Sequence, residues 1–356
     1  MAVGESAAID YIQFMHAKAP GLASVEDVAL AARVSTATVS RVLNTPDRVR
    51  QALRERVTDA VLKLGYVPHA GARALKLQRS GTVGAIFPTV DNAIFARAIE
   101  ALQQRLAGAR LQLLIATSGY DIETETQQAI NLVSRGADGM VLCGVTQSPR
   151  LLQFLRQREL PTVHAMTYPP PAGMVCVGFD NARAIGQAVR YLLDLGHRRI
   201  AMLAGVTRDN DRAAARVTGV QQALAAARLS LPPSRLVERA YTLADARDGF
   251  RTLMATQPRP TAVLCGNDVL AIGALLEAQA MGIAVPGAVS IAGFDDLELS
   301  RHMRPGLTTL HVPSESMWAT VADRLIAALE QKPVPLATEV DVELLVREST
   351  GPAPRK

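Results

Sequence analysis

No stretch of the chain approaches the roughly 20 consecutive apolar residues that a membrane helix needs, so no spanning segment is expected. The opening residues, MAVGESAAIDYIQFMHAKAPGLA, carry Glu5 and Asp10 and lack a basic start followed by an apolar core, so they do not read as a secretory signal. Cysteine is scarce. The three that occur sit in apolar runs (MVLCG, VCVGF, AVLCG) with no paired, metal-ligand or redox spacing. They are expected as small residues of buried strands in a reducing compartment, and a cytoplasmic location follows. Enzyme and nucleotide motifs are missing as well: no Gly-Lys-Ser/Thr phosphate loop, no Gly-rich fingerprint after a strand, no Gly-x-Ser-x-Gly and no His-Glu-x-x-His. No catalytic group, metal or cofactor is therefore expected. His197, in LGHRRI, reads as a residue that ends a helix and favours its negative pole. The adjacent acids Asp295 and Asp296 do not by themselves make acid/base chemistry.

What the chain does have is an ordinary soluble composition, 49% apolar and 20% charged over 356 residues, enough for a small domain and a larger one. The net charge of +5 is concentrated. Between Ser24 and Arg79 ten Lys and Arg face five Asp and Glu, while the other residues hold 28 of each sign. A neutral body with its excess positive charge in one short segment points to a polyanionic partner for that segment.

That segment reads as three short helices. SVEDVALAARV places Val25, Val28, Ala29 and Ala32 on one face, with Ser24 as N-cap and Asp27 as its acidic partner. About three residues later VSTATVSRVLN begins a second helix capped by Ser35, with no acidic residue in it. So short a connection is the turn of a helix-turn-helix, although Arg33 stands where such turns prefer Gly. A third helix spans roughly Gln51 to Leu64 and stops at Gly65. Hydroxyls of the second helix suit phosphate contact, and Arg41 suits a guanine edge. Pro68 then breaks the pattern, and AGARALKL is a short basic piece with helical propensity but marginal length.

From Gly81 onward apolar runs (TVGAIFP, QLLIATS, GMVLCG, PTVHAM, MVCVGFD, RIAMLAG, TAVLCGND, VSIAGFDD) alternate with amphipathic helical segments. Parallel sheets with helices on both faces are expected. The pattern restarts at GHRRIAMLAG, which predicts two similar α/β halves with a ligand between them at the carboxyl ends of the strands.

SVEDVALAARVSTATVSRVLN followed by ALRERVTDAVLKLGYVPHAGARAL resembles the DNA-binding headpiece of the lac repressor (LacI/GalR) family. GHRRIAMLAG, CGNDVLAIGAL, GIAVPGAVSIAGFDD, RPGLTTL and VREST extend the resemblance from about Ser24 to Gly351, in the family's order. It implies an N-terminal extension over 1–23, an all-α helix-turn-helix domain over 24–67, a hinge helix or linker over 68–80, and a two-lobed, periplasmic-binding-protein-like α/β core over 81–351. It implies a homodimeric repressor that reads a palindromic double-stranded DNA operator and answers to a small sugar or sugar-acid effector.

By position, the resemblance makes Thr36, Ala37 and Arg41 base-reading residues. Ser35, Thr38, Ser40 and Asn44 become phosphate-contacting or helix-orienting ones. His69 joins the DNA-contacting set, Leu75 matches a minor-groove wedge and Lys76 follows it. The implied effector residues are Asp91, Ile94, Phe95, Arg216, Asn267 and Asp295, with Arg212 as a possible assistant to Arg216. Taken alone, Asp295 reads equally as a helix cap and Phe95 as core. Met166, with His164 and Tyr168 near it, stands where many members carry an Asp, which disfavours a neutral sugar. SGYD and VGFDN resemble the gluconate-responsive branch. No leucine heptads follow VREST, so no tetramerising coiled coil is expected. The rival readings are a solute-binding protein or an enzyme on the same α/β body. The first would need a signal peptide and no headpiece, and the second a catalytic motif.

Overall fold

The computed structural model describes residues 23–67 and 79–355. The chain divides after Ser80 into two compact units.

The first unit contains α1 (Val25–Ala31), α2 (Thr36–Asn44) and α3 (Gln51–Leu64). The expected capping box is present at α1: the Ser24 hydroxyl accepts from the Asp27 amide at 3.2 Å, and Asp27 accepts from the Ser24 amide at 2.8 Å. The Ser24 contacts hold the Asp27 carboxyl below its usual range. Val28, Ala29, Ala32, Val39, Val42, Val57 and Ala60 form the small core. Arg33 turns the chain with φ +51°, the left-handed conformation for which glycine is the usual solution. Gly65 ends α3 with φ +58°.

The second unit holds two six-stranded sheets. One has the order β2-β1-β3-β4-β5-β11, from β1 (Thr82–Phe87), β2 (Gln112–Thr117), β3 (Ala137–Cys143), β4 (Thr162–Ala165), β5 (Val175–Gly178) and β11 (Ala337–Glu339). The other has the order β7-β6-β8-β9-β10-β12, from β6 (Ile200–Gly205), β7 (Leu236–Arg239), β8 (Ala262–Cys265), β9 (Ser290–Asp295), β10 (Thr308–His311) and β12 (Glu343–Leu345). All neighbours are parallel except β12, which runs antiparallel to β10. All eight expected strands are present. The shared order makes two like lobes, each with its strand order reversing beside the first strand.

Helices α4 (Ala93–Gly108), α5 (Ile122–Ser134), α6 (Pro149–Gln157) and α12 (Ser314–Leu329) belong to the first lobe. The second lobe carries α7 (Asn181–Asp194), α8 (Asp211–Ala226), α9 (Leu243–Met254), α10 (Asp268–Ala280) and α11 (Glu298–His302). The chain therefore crosses between lobes three times: from β5 to α7, from β10 to α12, and from β11 to β12.

Most of these helices start where a short polar residue follows a strand. Asn92, Asp121, Ser148, Asp180, Asn210, Thr242 and Asn267 each accept a backbone N–H in the first turn. The apolar faces of α4, α7, α8 and α12 pack in a cluster that runs across both lobes, in which Trp318 of α12 is fully buried and packs at 5.4 Å from Phe87, while α5 with α6 and α9 with α10 pack in two separate clusters. Cys143, Cys176 and Cys265 lie buried and unpaired in β3, β5 and β8, and burial pushes all three thiols up, the first two to about 12.

His197 closes the end of its helix as expected, its amide donating to the Leu192 carbonyl, but its ring does not serve the helix pole. It lies past the end of α7 with its ring buried, Nδ1 at 3.0 Å from Thr261 Oγ1 and Nε2 at 3.0 Å from the Gly351 carbonyl. Burial lowers its pKa, so the ring is a neutral tie between strand edge and C-terminal segment rather than a charge at a helix pole.

Candidate functional site

In the first unit Ser35 caps α2, its hydroxyl accepting from the Thr38 amide at 3.2 Å and lying 2.9 Å from Thr38 Oγ1. Val39 and Val42 turn into the core, which leaves Ser35, Thr36, Ala37, Ser40 and Arg41 exposed and Thr38 half-buried. One helix face thus presents small hydroxyl side chains and a guanidinium with no carboxylate among them. Leu43 is 37% exposed, at the margin of the apolar face rather than within it. Asn44 ends the helix; its side chain, like His69, Leu75 and Lys76, lies outside the described residues.

In the second unit the carboxyl ends of the strands of both lobes converge on a cleft. Ile94, Phe95, Tyr120 and Met166 line it from the first lobe, and Arg212, Arg216, Tyr241 and Asp295 from the second. Three helix caps, Asn92, Asn210 and Asn267, complete the wall, each with its side-chain oxygen engaged by its own helix. Tyr120 and Tyr241 face each other with ring centroids 5.6 Å apart.

Arg216 is held from several sides. Its Nε donates to Asn181 Oδ1 at 2.9 Å, Nη1 donates to the Gly266 carbonyl at 2.6 Å, and the guanidinium lies 3.7 Å from the Phe294 ring centroid. Asp295 sits 3.9 Å from Arg216 Nη2, too far for a hydrogen bond, and its Oδ1 is buried with no partner. Burial pushes its carboxyl up to about 7 against the pull of Arg216. Its backbone has φ +109°, and α11 is capped by the Leu297 position, so Asp295 is no helix cap. The neighbouring Asp296 is tied to Arg347 Nη2 at 2.6 Å and His311 Nδ1 at 3.0 Å.

A clasp closes the cleft. Asp211 Oδ2, at the start of α8, accepts from Thr167 Oγ1 at 2.9 Å and from the Val145 amide at 3.2 Å, both first-lobe groups. Arg212 Nη1 donates to the Cys143 carbonyl and to Asp211 Oδ1, each at 2.9 Å. Gly144 has φ +78°, and a side chain there would run into Arg212 and Asp211. Behind Arg212 stands Glu125, whose burial raises its carboxyl to about 7. The cavity left between these groups is about 30 Å³, room for one or two waters.

The segment 24–69 matches the family model for bacterial regulatory proteins of the lacI family, and 189–350 matches the periplasmic binding protein-like domain. The HTH-type transcriptional repressor PurR of Escherichia coli O1:K1 is 31% identical over 336 residues, covering 94% of this chain and 98% of that protein. The chain belongs to the lacI family. It is a DNA-binding transcriptional repressor with an effector-binding domain, not an enzyme. Among solved structures, the transcription regulator GntR from Chromobacterium violaceum superposes with TM-score 0.72 at 30% identity, covering 76% of this chain and 99% of that one. The transcriptional regulator CelR in complex with cellobiose gives TM-score 0.68 at 28% identity, covering 92% and 99%.

Against that family frame, the structure brings Ile94, Phe95, Arg216, Asn267 and Asp295 together, with Phe95 also packing at 5.9 Å against Phe87. Asp91 is different: its side chain is exposed and does not line the cleft, where Asn92 stands instead. Met166 lines the cleft, whereas His164 is buried against the Gly144 carbonyl at 3.0 Å and Tyr168 does not line it. Tyr120, Asn210 and Tyr241 were not singled out in the sequence. Tyr120 lies inside SGYD, but Tyr241 follows β7, a strand whose run LVER carries two charges. Among the described residues no cluster of His, Cys, Asp and Glu is arranged to hold a metal, and no helix is long and apolar enough to cross a membrane.

Proposed function

We propose that this repressor acts in the cytoplasm as a homodimer on a palindromic operator, and that its effector is a sugar acid such as gluconate, bound between the lobes. The observation that carries the effector reading is the buried, unpartnered carboxylate oxygen of Asp295 beside the oriented guanidinium of Arg216. The first is an acceptor suited to a sugar hydroxyl, and the second a fork suited to a carboxylate. Arg212 assists, and the rings of Phe95, Tyr120 and Tyr241 offer apolar faces to C–H groups.

On the DNA side, Thr36, Ala37 and Arg41 read base edges, Thr36 and Ala37 through thymine methyl contact. Ser35, Thr38, Ser40 and Asn44 hold the helix against phosphates. His69, Leu75 and Lys76 add contacts beyond α3. Two headpieces supply two half-sites, which is the reason for the palindrome. Effector binding works only through a difference in affinity between two states. The clasp of Asp211 and Arg212 stabilises the closed arrangement, and an effector that parts or re-closes the lobes shifts operator affinity.

Calorimetric titration with gluconate and related aldonates, against neutral hexoses, tests the effector. Saturable binding of aldonates that disappears in Arg216→Gln supports the reading; binding of neutral sugars alone removes it. A gel-shift on the gene's own upstream region, with affinity falling steeply as salt rises, tests the DNA function.

A further inference from the structure

The opposite edge of the second lobe carries a second concave site. Parallel strands β6, β7 and β8 begin there, so the site lies a strand's length, about 20 Å, from the cleft at their other ends. The loops entering these strands border an open concavity of about 520 Å³. Arg198, Arg228 and Arg235 line it together with Ser230 and Ser234, and no carboxylate is in its wall. Arg199 and Arg259 come from the same loops. Among the described residues none of these five arginines makes an ion pair with a carboxylate.

Helices α7, α8 and α9 end at this edge, and cations there stabilise the negative ends of their dipoles. That explains part of the cluster. Arg198 Nη1 donates to the Leu193 carbonyl at 3.5 Å and Arg259 Nε to the Met254 carbonyl at 3.1 Å, both in the last turns of helices. Arg235 is different: it reaches a loop carbonyl, Pro258, at 3.3 Å. Arg228, at φ +59° just past α8, projects with its surface exposed. A guanidinium has five donors, so a single carbonyl bond fixes its direction and leaves most of the fork open. Burial, and after it the neighbouring Arg199, lower the Arg235 pKa.

We infer that this pocket binds a small phosphorylated anion carrying at least two negative charges, such as a phosphomonoester or pyrophosphate, independently of the interlobe effector. Converging guanidiniums and hydroxyls are the chemistry that recognises phosphate oxygens bidentately. The concave form and limited volume favour a small molecule over an extended polyanion.

The test is calorimetry on the full chain at constant ionic strength, with inorganic pyrophosphate and glucose 6-phosphate as probes and sulfate as control. One site per chain is expected for at least one probe, and which probe binds more tightly distinguishes an inorganic from an organic phosphate. Arg228→Ser with Arg235→Gln should weaken binding more than about tenfold, and the same positions changed to Lys should restore only part of it. Arg228→Ser alone, a change at an exposed side chain, should weaken binding several-fold and guards against misfolding of the double variant. Binding of gluconate, if any, should be unchanged in these variants. No saturable binding of either phosphate, equal binding by the variants, or binding only of long polyanions such as heparin or an acidic peptide would overturn the inference.

Discussion

Thr167 of the first lobe donates its hydroxyl to the Asp211 carboxylate of the second at 2.9 Å, across the mouth of the interlobe cleft. The same carboxylate oxygen accepts from the Val145 amide, and its partner oxygen accepts from Arg212. One acidic side chain thus joins the lobes and neutralises a buried guanidinium.

Asp211→Ala should destabilise the protein by about 2–4 kcal/mol in denaturant unfolding, because Arg212 stays buried without its counter-charge. Gly144→Ala should act in the same direction, since the new methyl occupies the space of the clasp itself. Thr167→Val, which removes one neutral donor to the same oxygen, should cost less, about 1 kcal/mol.

Asp295 predicts a pH dependence. Its folded pKa, about 7, lies above its ordinary value of 3.8 because burial disfavours the charged form. The folded state therefore holds a proton that the unfolded chain has released, and stability falls as pH rises from about 4 to 7, then levels. Asp295→Asn removes this contribution. Unfolding free energies measured at pH 5 and pH 8 should show the variant gaining on the parent by a few kcal/mol at the higher pH. An unchanged difference between the two pH values would show that Asp295 is ionised throughout.

Arg41→Ala should cost about 1–3 kcal/mol of discrimination between operator and mismatched DNA in competition gel-shifts. A uniform loss on all sequences would instead make Arg41 a phosphate contact.

Arg33→Gly should stabilise the first unit by up to about 1 kcal/mol, since glycine adopts φ +51° without the clash of a side chain. Its higher flexibility in the unfolded chain offsets part of the gain. Thermal unfolding of the full chain, followed at the transition of this unit, measures the effect.

The parts legible in sequence were those decided over short distances. Ser24 with Asp27, Ser35 with Thr38, and the stop at Gly65 are contacts within a few residues, and the apolar strand runs announced themselves by burial on both faces. β7, β10, β11 and β12 did not: LVER and TTLH mix charge or threonine with few aliphatics, and the last two are three residues each. Missing β7 also hid Tyr241, which needs that strand to reach the cleft. The clasp was illegible for a different reason. Asp211 and Val145 are 66 residues apart, and nothing local marks them as partners.

Asp268 shows the same limit within one motif. CGND drew attention to Asn267, yet its neighbour is the fully buried node, accepting from Leu297 N, Ser300 Oγ and Thr309 Oγ1 at 2.5–2.8 Å. Burial raises its carboxyl to about 6 even with these donors.

The triple crossing between lobes makes the core indivisible by a single cut. A fragment ending at Gly178 would contain five strands of the first sheet but neither β11 nor α12, and Phe87 would lose the indole that covers it. A fragment beginning at Asn181 would carry those two pieces with no sheet to join. Nicking one crossing by protease would leave the halves tethered by the other two. Neither lobe can therefore be borrowed, swapped or inherited as a contiguous segment, and any lineage that reshapes one lobe must keep both in register with the same three passages.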